Sequence, residues 1–127
     1  MKSDEQIINL PIVNKAVTRV FFDGEFGLEF WTSDEMMTLR IGAPFKITNA
    51  RKDLSPAHPE GLAPTFSLLG KKVNAATAEK NGNLDISFSD NRKIHVDPIS
   101  KNEAWGLAGP ADFKIVCLPG GELTIWK

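Results

Sequence analysis

Apolar and polar positions alternate most clearly in two stretches of the chain. In VTRVFFDGEFGLEFWTSDEMMTLRI, residues 17–41, Phe22, Phe26, Leu28 and Phe30 share one parity, and Asp23, Glu25 and Glu29 share the other. Period two with aromatic residues on one side predicts half-buried strands, apolar face inward and acidic face outward. Asp23-Gly24 accepts positive φ at little steric cost, so the chain can turn there and return as far as Trp31. Thr32 to Glu35 then form a polar turn leading into Met37, Leu39 and Ile41.

The same arrangement recurs in VNAATAEKNGNLDISFSDNRKIHV, residues 73–96. Val73 answers Val17, Asn81-Gly82 supplies the turn, Leu84, Ile86 and Phe88 repeat the apolar face, and Ile94 and Val96 answer Leu39 and Ile41. Two three-stranded meanders, each with one apolar face, satisfy one another by packing face to face or by closing into an open barrel. The connection between them carries Pro56, Pro59, Gly61 and Pro64, which leaves room for at most one short helix near residues 63–70, with Pro64 early and Gly70 as its stop. Residues 98–110 read as a loop carrying Trp105, and the chain ends in a hairpin formed by residues 113–118 and 123–126 around Gly120-Gly121. The expectation is a mostly β protein, an antiparallel sandwich or open barrel, in which residues 1–127 form a single domain.

Composition narrows the classes of function. A chain of 127 residues falls in the usual range for one domain and can bury a core without covalent staples. With 15 basic and 16 acidic residues, the net charge of −1 is a poor match to sequence-independent binding of nucleic acid, which needs a basic surface. The one cysteine, Cys117, excludes an intramolecular disulfide and reads as a small core residue within a strand. The opening MKSDEQIINLPIV does not resemble a secretory signal, and no stretch approaches the ~20 apolar residues of a membrane span. The compartment expected is the cytoplasm, with no membrane partner.

Candidate chemistry is sparse. His58 in the Pro-rich connection and His95 between Ile94 and Val96, with Lys93 nearby, could in principle act as acid and base. The plainer reading makes His95 a solvent-facing strand residue and His58 a loop residue. Neither metal-ligand spacings, phosphate loops leading into a helix, nor a nucleophile elbow is present, so neither catalytic residues nor a metal or other cofactor is expected. Of the three tryptophans, Trp105 and Trp126 are expected to pack, Trp126 pinning the C-terminus, whereas Trp31 has the parity of the acidic row and should point outward. Asp23, Glu25, Glu29 and Trp31, with Asp34 and Glu35 at the turn, thus make one outward row: a candidate docking surface for a basic partner, with an aromatic anchor. Exposed Trp31 or Trp105 would alternatively suit stacking on a sugar ring or another small ligand.

Several motifs carry a resemblance. They are Leu68-Leu69-Gly70 followed by Val73, then Ala104-Trp105-Gly106-Leu107-Ala108-Gly109-Pro110, and finally Pro119-Gly120-Gly121-Glu122-Leu123-Thr124-Ile125-Trp126. Together they resemble a family of small bacterial β-rich proteins of unassigned function, marked by an "aW.l.GP" loop and a terminal "PGGELxIW" hairpin. The likeness spans most of residues 17–126. Proteins of this kind are similar to the immunity partners of bacterial polymorphic toxins, including those of contact-dependent growth inhibition. The resemblance implies a protein that neutralises one cognate toxin domain, a basic nuclease being one candidate, by blocking its active surface. It supplies no catalytic residues, and it implies an architectural role for Trp105, Gly109, Gly120, Gly121 and Trp126.

Overall fold

A computed structural model describes residues 7–48 and 50–126. Its strands, in chain order, are β1 (Ile7–Asn9), β2 (Arg19–Phe22), β3 (Phe26–Trp31), β4 (Met36–Ile41), β5 (Phe45–Ile47), β6 (Val73–Glu79), β7 (Leu84–Phe88), β8 (Lys93–Val96), β9 (Trp105–Ala108), β10 (Lys114–Cys117) and β11 (Leu123–Trp126). All pairings are antiparallel. They build a five-stranded sheet ordered β1-β6-β7-β8-β5 and a six-stranded sheet ordered β11-β10-β9-β4-β3-β2. The two remain open sheets, so the architecture is a sandwich and no barrel closes.

The two predicted three-stranded meanders are present, one in each sheet. Strands β2-β3-β4 carry Phe26, Leu28, Phe30, Leu39 and Ile41 into the interface from one side. Strands β6-β7-β8 carry Leu84, Ile86, Phe88, Ile94 and Val96 in from the other. All ten are essentially inaccessible to solvent, and burying a large apolar side chain contributes roughly 1.5–3 kcal/mol. The rings of Phe26 and Phe45 stack at 5.1 Å between centroids, joining β3 of one sheet to β5 of the other. Gly42-Ala43-Pro44 is the short link by which the chain changes sheets between them.

Two expectations about elements need correction. Residues 105–108, read as part of a loop, form β9, which bridges the first meander to the terminal hairpin. Only Trp105 and Leu107 signal apolar alternation there; the outward positions are Gly106 and Ala108, whose small side chains give no strand signature. Strands β1 and β5, three residues each, are likewise too short to show a period. The connection between the meanders holds a 3₁₀ turn at Pro59–Gly61 and a second at Ala63–Leu68, the latter within the segment expected to hold a short helix. Gly70 ends it with φ of +86°, and its N–H donates to the carbonyl of Val17.

The terminal motif explains itself at one end of the sandwich. A Cβ on Gly82 would lie 2.6 Å from the carbonyl oxygen of Gly121, and one on Gly121 would lie 2.1 Å from that of Asn81. The Asn81-Gly82 turn of one sheet and the Gly120-Gly121 turn of the other therefore meet backbone to backbone. Trp105 lies beneath them, 1% exposed, and its indole N–H donates to the Gly82 carbonyl at 2.8 Å. The hairpin completes the six-stranded sheet, as expected. Trp126, however, is 48% exposed and does not pin the C-terminus by burial, because β11 is the edge strand; the Lys114 ammonium of β10 stands 5.9 Å from its ring centroid.

Candidate functional site

Strand register arranges the outer face of the six-stranded sheet in rows. One runs Arg19, Glu29, Thr38, Ala108, Lys114, Trp126 from edge to edge; the next runs Phe21, Gly27, Arg40, Gly106, Val116, Thr124. Trp31 and Met36 pair at the top of β3 and β4. The middle of the face is built from Thr38, Gly106 and Ala108, and their small size leaves a trough of about 280 Å³, rimmed by Glu25, Arg40, Glu103 and Lys114. Two exposed tryptophans lie on either side: Trp31, 56% exposed, on β3, and Trp126 on β11. They are four strands apart, or about 19 Å at a spacing of ~4.8 Å.

Charge on this face is mixed, and most of the acidic row is paired. The Arg40 guanidinium donates to both carboxylate oxygens of Asp23, at 2.8 and 3.1 Å, and lies 3.8 Å from Glu25. Those hydrogen bonds and the attraction of Arg40 hold the Asp23 carboxyl below its ordinary pKa. Phe21 lies flat across β3, where a Cβ on Gly27 would come within 2.1 Å of its ring, and Arg19 and Arg40 both stand over that ring. Gly27 is therefore glycine for a reason of space.

Glu29 has the outward parity expected of it but is buried. Arg19 donates to its Oε2 at 3.1 Å and the Trp31 indole N–H to its Oε1 at 3.2 Å, so its partners close over it. Glu35 faces Lys15 at 3.7 Å, and no ion pair forms at Asp34 among the described residues. The structure thus brings Asp23, Glu25, Glu29 and Trp31 onto one face, with Asp34 and Glu35 at its upper turn, but with four of the five carboxylates paired to Lys15, Arg19 or Arg40 and the Trp31 ring largely exposed. Phe22, given inward parity by the sequence, is 43% exposed because β2 is an edge strand. Sequence reading missed Met36 and Trp126 as parts of this face. Trp126 shares the parity of Thr124, opposite Leu123 and Ile125, and that alternation is the signal that places it outward.

The histidines behave as the plainer reading expects. His58 is exposed in the connection, 3.8 Å from Glu60. His95 stands half-buried on the outer face of the five-stranded sheet, its Nδ1 2.6 Å from Asp85 and its Nε2 2.7 Å from Asp97. Burial opposes charge on this ring, but the hydrogen bonds and attraction of the two carboxylates outweigh it and raise the pKa above 6.5. Both ring nitrogens of His95 are thus engaged by carboxylates. Cys117 is buried, and burial raises its thiol pKa, which lowers its thiolate character. Among the described residues, no group of three or more His, Cys, Asp or Glu side chains is arranged to hold a metal ion. No helix of the described residues is long and apolar enough to cross a membrane. Trp105, once a candidate for sugar stacking, is removed from that role by its burial.

Residues 8–127 match the model of a family described as a family of unknown function (DUF6188). Neither a curated protein nor a solved structure matches the chain.

Proposed function

The chain belongs to DUF6188, a family of unknown function, and from the surface just described we propose that it is an immunity protein that binds and neutralises a cognate bacterial toxin domain. The observation that carries the reading is the outer face of the six-stranded sheet, where Trp31, Met36 and Trp126 stay exposed around a trough floored by small residues. Exposed aromatic rings beside a shallow concavity are what a protein interface uses as anchors, and a charged rim sets register and rate. The Trp105 loop and the PGGEL hairpin resemble those of a small bacterial β-rich family of unassigned function, and the similarity of small proteins of that kind to toxin-neutralising partners points the same way. Support also comes from the titratable side chains, which are engaged with one another: Asp23 with Arg40, Glu29 with Arg19, His95 with two aspartates.

On this reading the partner is a protein, inhibited by obstruction, and the protein acts in the compartment where that toxin would work, the cytoplasm. Basic groups on the toxin would meet Glu25, Asp34 and Glu35 at the rim. Co-expression with the toxin domain encoded beside its gene tests the idea: growth is restored and the two co-elute on size exclusion. Failure of both would refute it. A carbohydrate-binding reading rests on the same two exposed tryptophans, and titration of oligosaccharides against tryptophan fluorescence separates it, since only that reading expects a shift without protein partner.

A further inference from the structure

Four strands form the edges of the two sheets, and the chain treats them differently. The outer side of β5 is covered by residue 54: Phe45 and Leu54 exchange both backbone hydrogen bonds, at 2.8 Å each. Two residues before β2, Val17 donates to Lys71 and accepts from Gly70, which ties the chain entering that strand to the segment after the second 3₁₀ turn. β1 adjoins residues outside the described range. No described segment beyond the sheet hydrogen-bonds the outer backbone of β11 or of Arg19–Phe22 in β2, and of these two edges only β11 carries no charged residue.

That edge also lacks the devices that keep strands apart. Its sequence is Leu123-Thr124-Ile125-Trp126, with no charge, no proline and no bulge, and Ile125 and Trp126 are 42% and 48% exposed on opposite faces. Native edges are ordinarily blunted with lysine, proline or a covering loop, because unpaired N–H and C=O groups are a template for another strand. We infer that β11 pairs with β11 of a second copy of this chain, so that two six-stranded sheets join into one continuous antiparallel sheet.

The ladder fixes the register. Gly109 donates to Phe113, so the odd-numbered residues of β10 bond to β9; Leu118 donates to Glu122, so its even-numbered residues bond to β11. Thr124 and Trp126 therefore spend their backbone groups on β10, and Ile125 directs its N–H and C=O outward. A twofold axis through Ile125 lets each copy donate to the other there and sets Thr124 opposite the partner's Trp126. The pairs so formed among the described residues, Ile125 with its counterpart and Thr124 with the partner's Trp126, are uncharged, and at a net charge of −1 the two copies scarcely repel. The contact is isologous and closes on itself, which gives dimers and not filaments. It brings the two Trp126 rings toward the centre of a doubled outer face, and it does not rest on the toxin reading.

Sedimentation of the full chain over a concentration series tests this directly. The expected result is a reversible dimer, with the Ile125 amide exchanging more slowly as concentration rises. Ile125→Pro removes the outward donor without touching a bond to β10, and Ile125→Lys places a charge on the axis; each should give a folded monomer, and native-like circular dichroism would establish that folding. A protein that stays monomeric at its highest soluble concentration overturns the proposal. So does a dimer that persists in either folded variant, or an Ile125 amide whose exchange is independent of concentration.

Discussion

At the scale of single residues, alternation told correctly which way most of β3 and β4 face, yet it could not tell which outward side chains stay in water. Glu29 and Trp31 have the same parity; one is buried and the other is the most open tryptophan of the face. The difference comes from Arg19, ten residues away, which reaches Glu29 only because the β2–β3 register sets them opposite. Gly27 shows the same limit, since the ring that requires it belongs to Phe21 on the neighbouring strand. His95 yields a prediction at this scale. Its folded pKa is raised above the 6.5 of a free imidazole, so the bonds to Asp85 and Asp97 contribute fully below that value and are lost as pH rises through the folded pKa. Lys46 is its cross-strand neighbour, and Lys93, two residues away on its own strand, shares its face. Denaturant unfolding at pH 5.5, 7 and 8.5 should show falling stability in the wild type and a flatter profile in His95→Gln. Equal slopes would place the pH dependence elsewhere.

At the scale of elements, the paired hairpin turns account for why the chain ends on PGGEL. Asn-Gly and Gly-Gly were legible as turns, but not as turns that touch, because Gly82 and Gly121 are 39 residues apart and in different sheets. Strand β9 escaped notice for a related reason: its outward residues are small so that the trough can exist, and small residues erase the alternation. The glycines separate conformational need from contact. Gly120 and Gly121 both have positive φ, of +87° and +110°, but a Cβ on Gly120 meets nothing within 4 Å, whereas one on Gly121 meets the Asn81 backbone. Gly120→Ala should cost only the strain of left-handed backbone, about 1 kcal/mol. Gly121→Ala must also force the two turns apart above Trp105, and should cost about 2–4 kcal/mol. Thermal unfolding ranks the pair, and similar losses for both would show that the turns do not need this contact.

At the scale of the whole molecule, fold and function differ in how far the chain declares them. Two tandem meanders with complementary apolar faces leave a sandwich or an open barrel, so the mostly β class was readable from periodicity, and the choice of the sandwich came only with the two open sheets. A binding face is defined by what remains uncovered after every pairing is made, and those pairings are long-range. The acidic row looked like an unbroken negative surface in the sequence, and Arg19 and Arg40 from neighbouring strands pair three of its carboxylates, leaving a weakly acidic platform with an exposed tryptophan. The proposed toxin complex should reflect that change. Trp31→Ala ought to weaken binding by about 30-fold or more through faster dissociation, as loss of a buried aromatic anchor costs ~2 kcal/mol or above. Glu25→Lys with Asp34→Lys should instead slow association and reduce its dependence on salt, because rim charges steer encounter more than they hold the complex. Glu29→Lys is a poor probe of docking, since it would strand Arg19 and the Trp31 indole before any partner arrived. Surface plasmon resonance at two ionic strengths separates the two effects: rates unchanged in both variants would move the interface off this face, and the five-stranded sheet would then be the side to search.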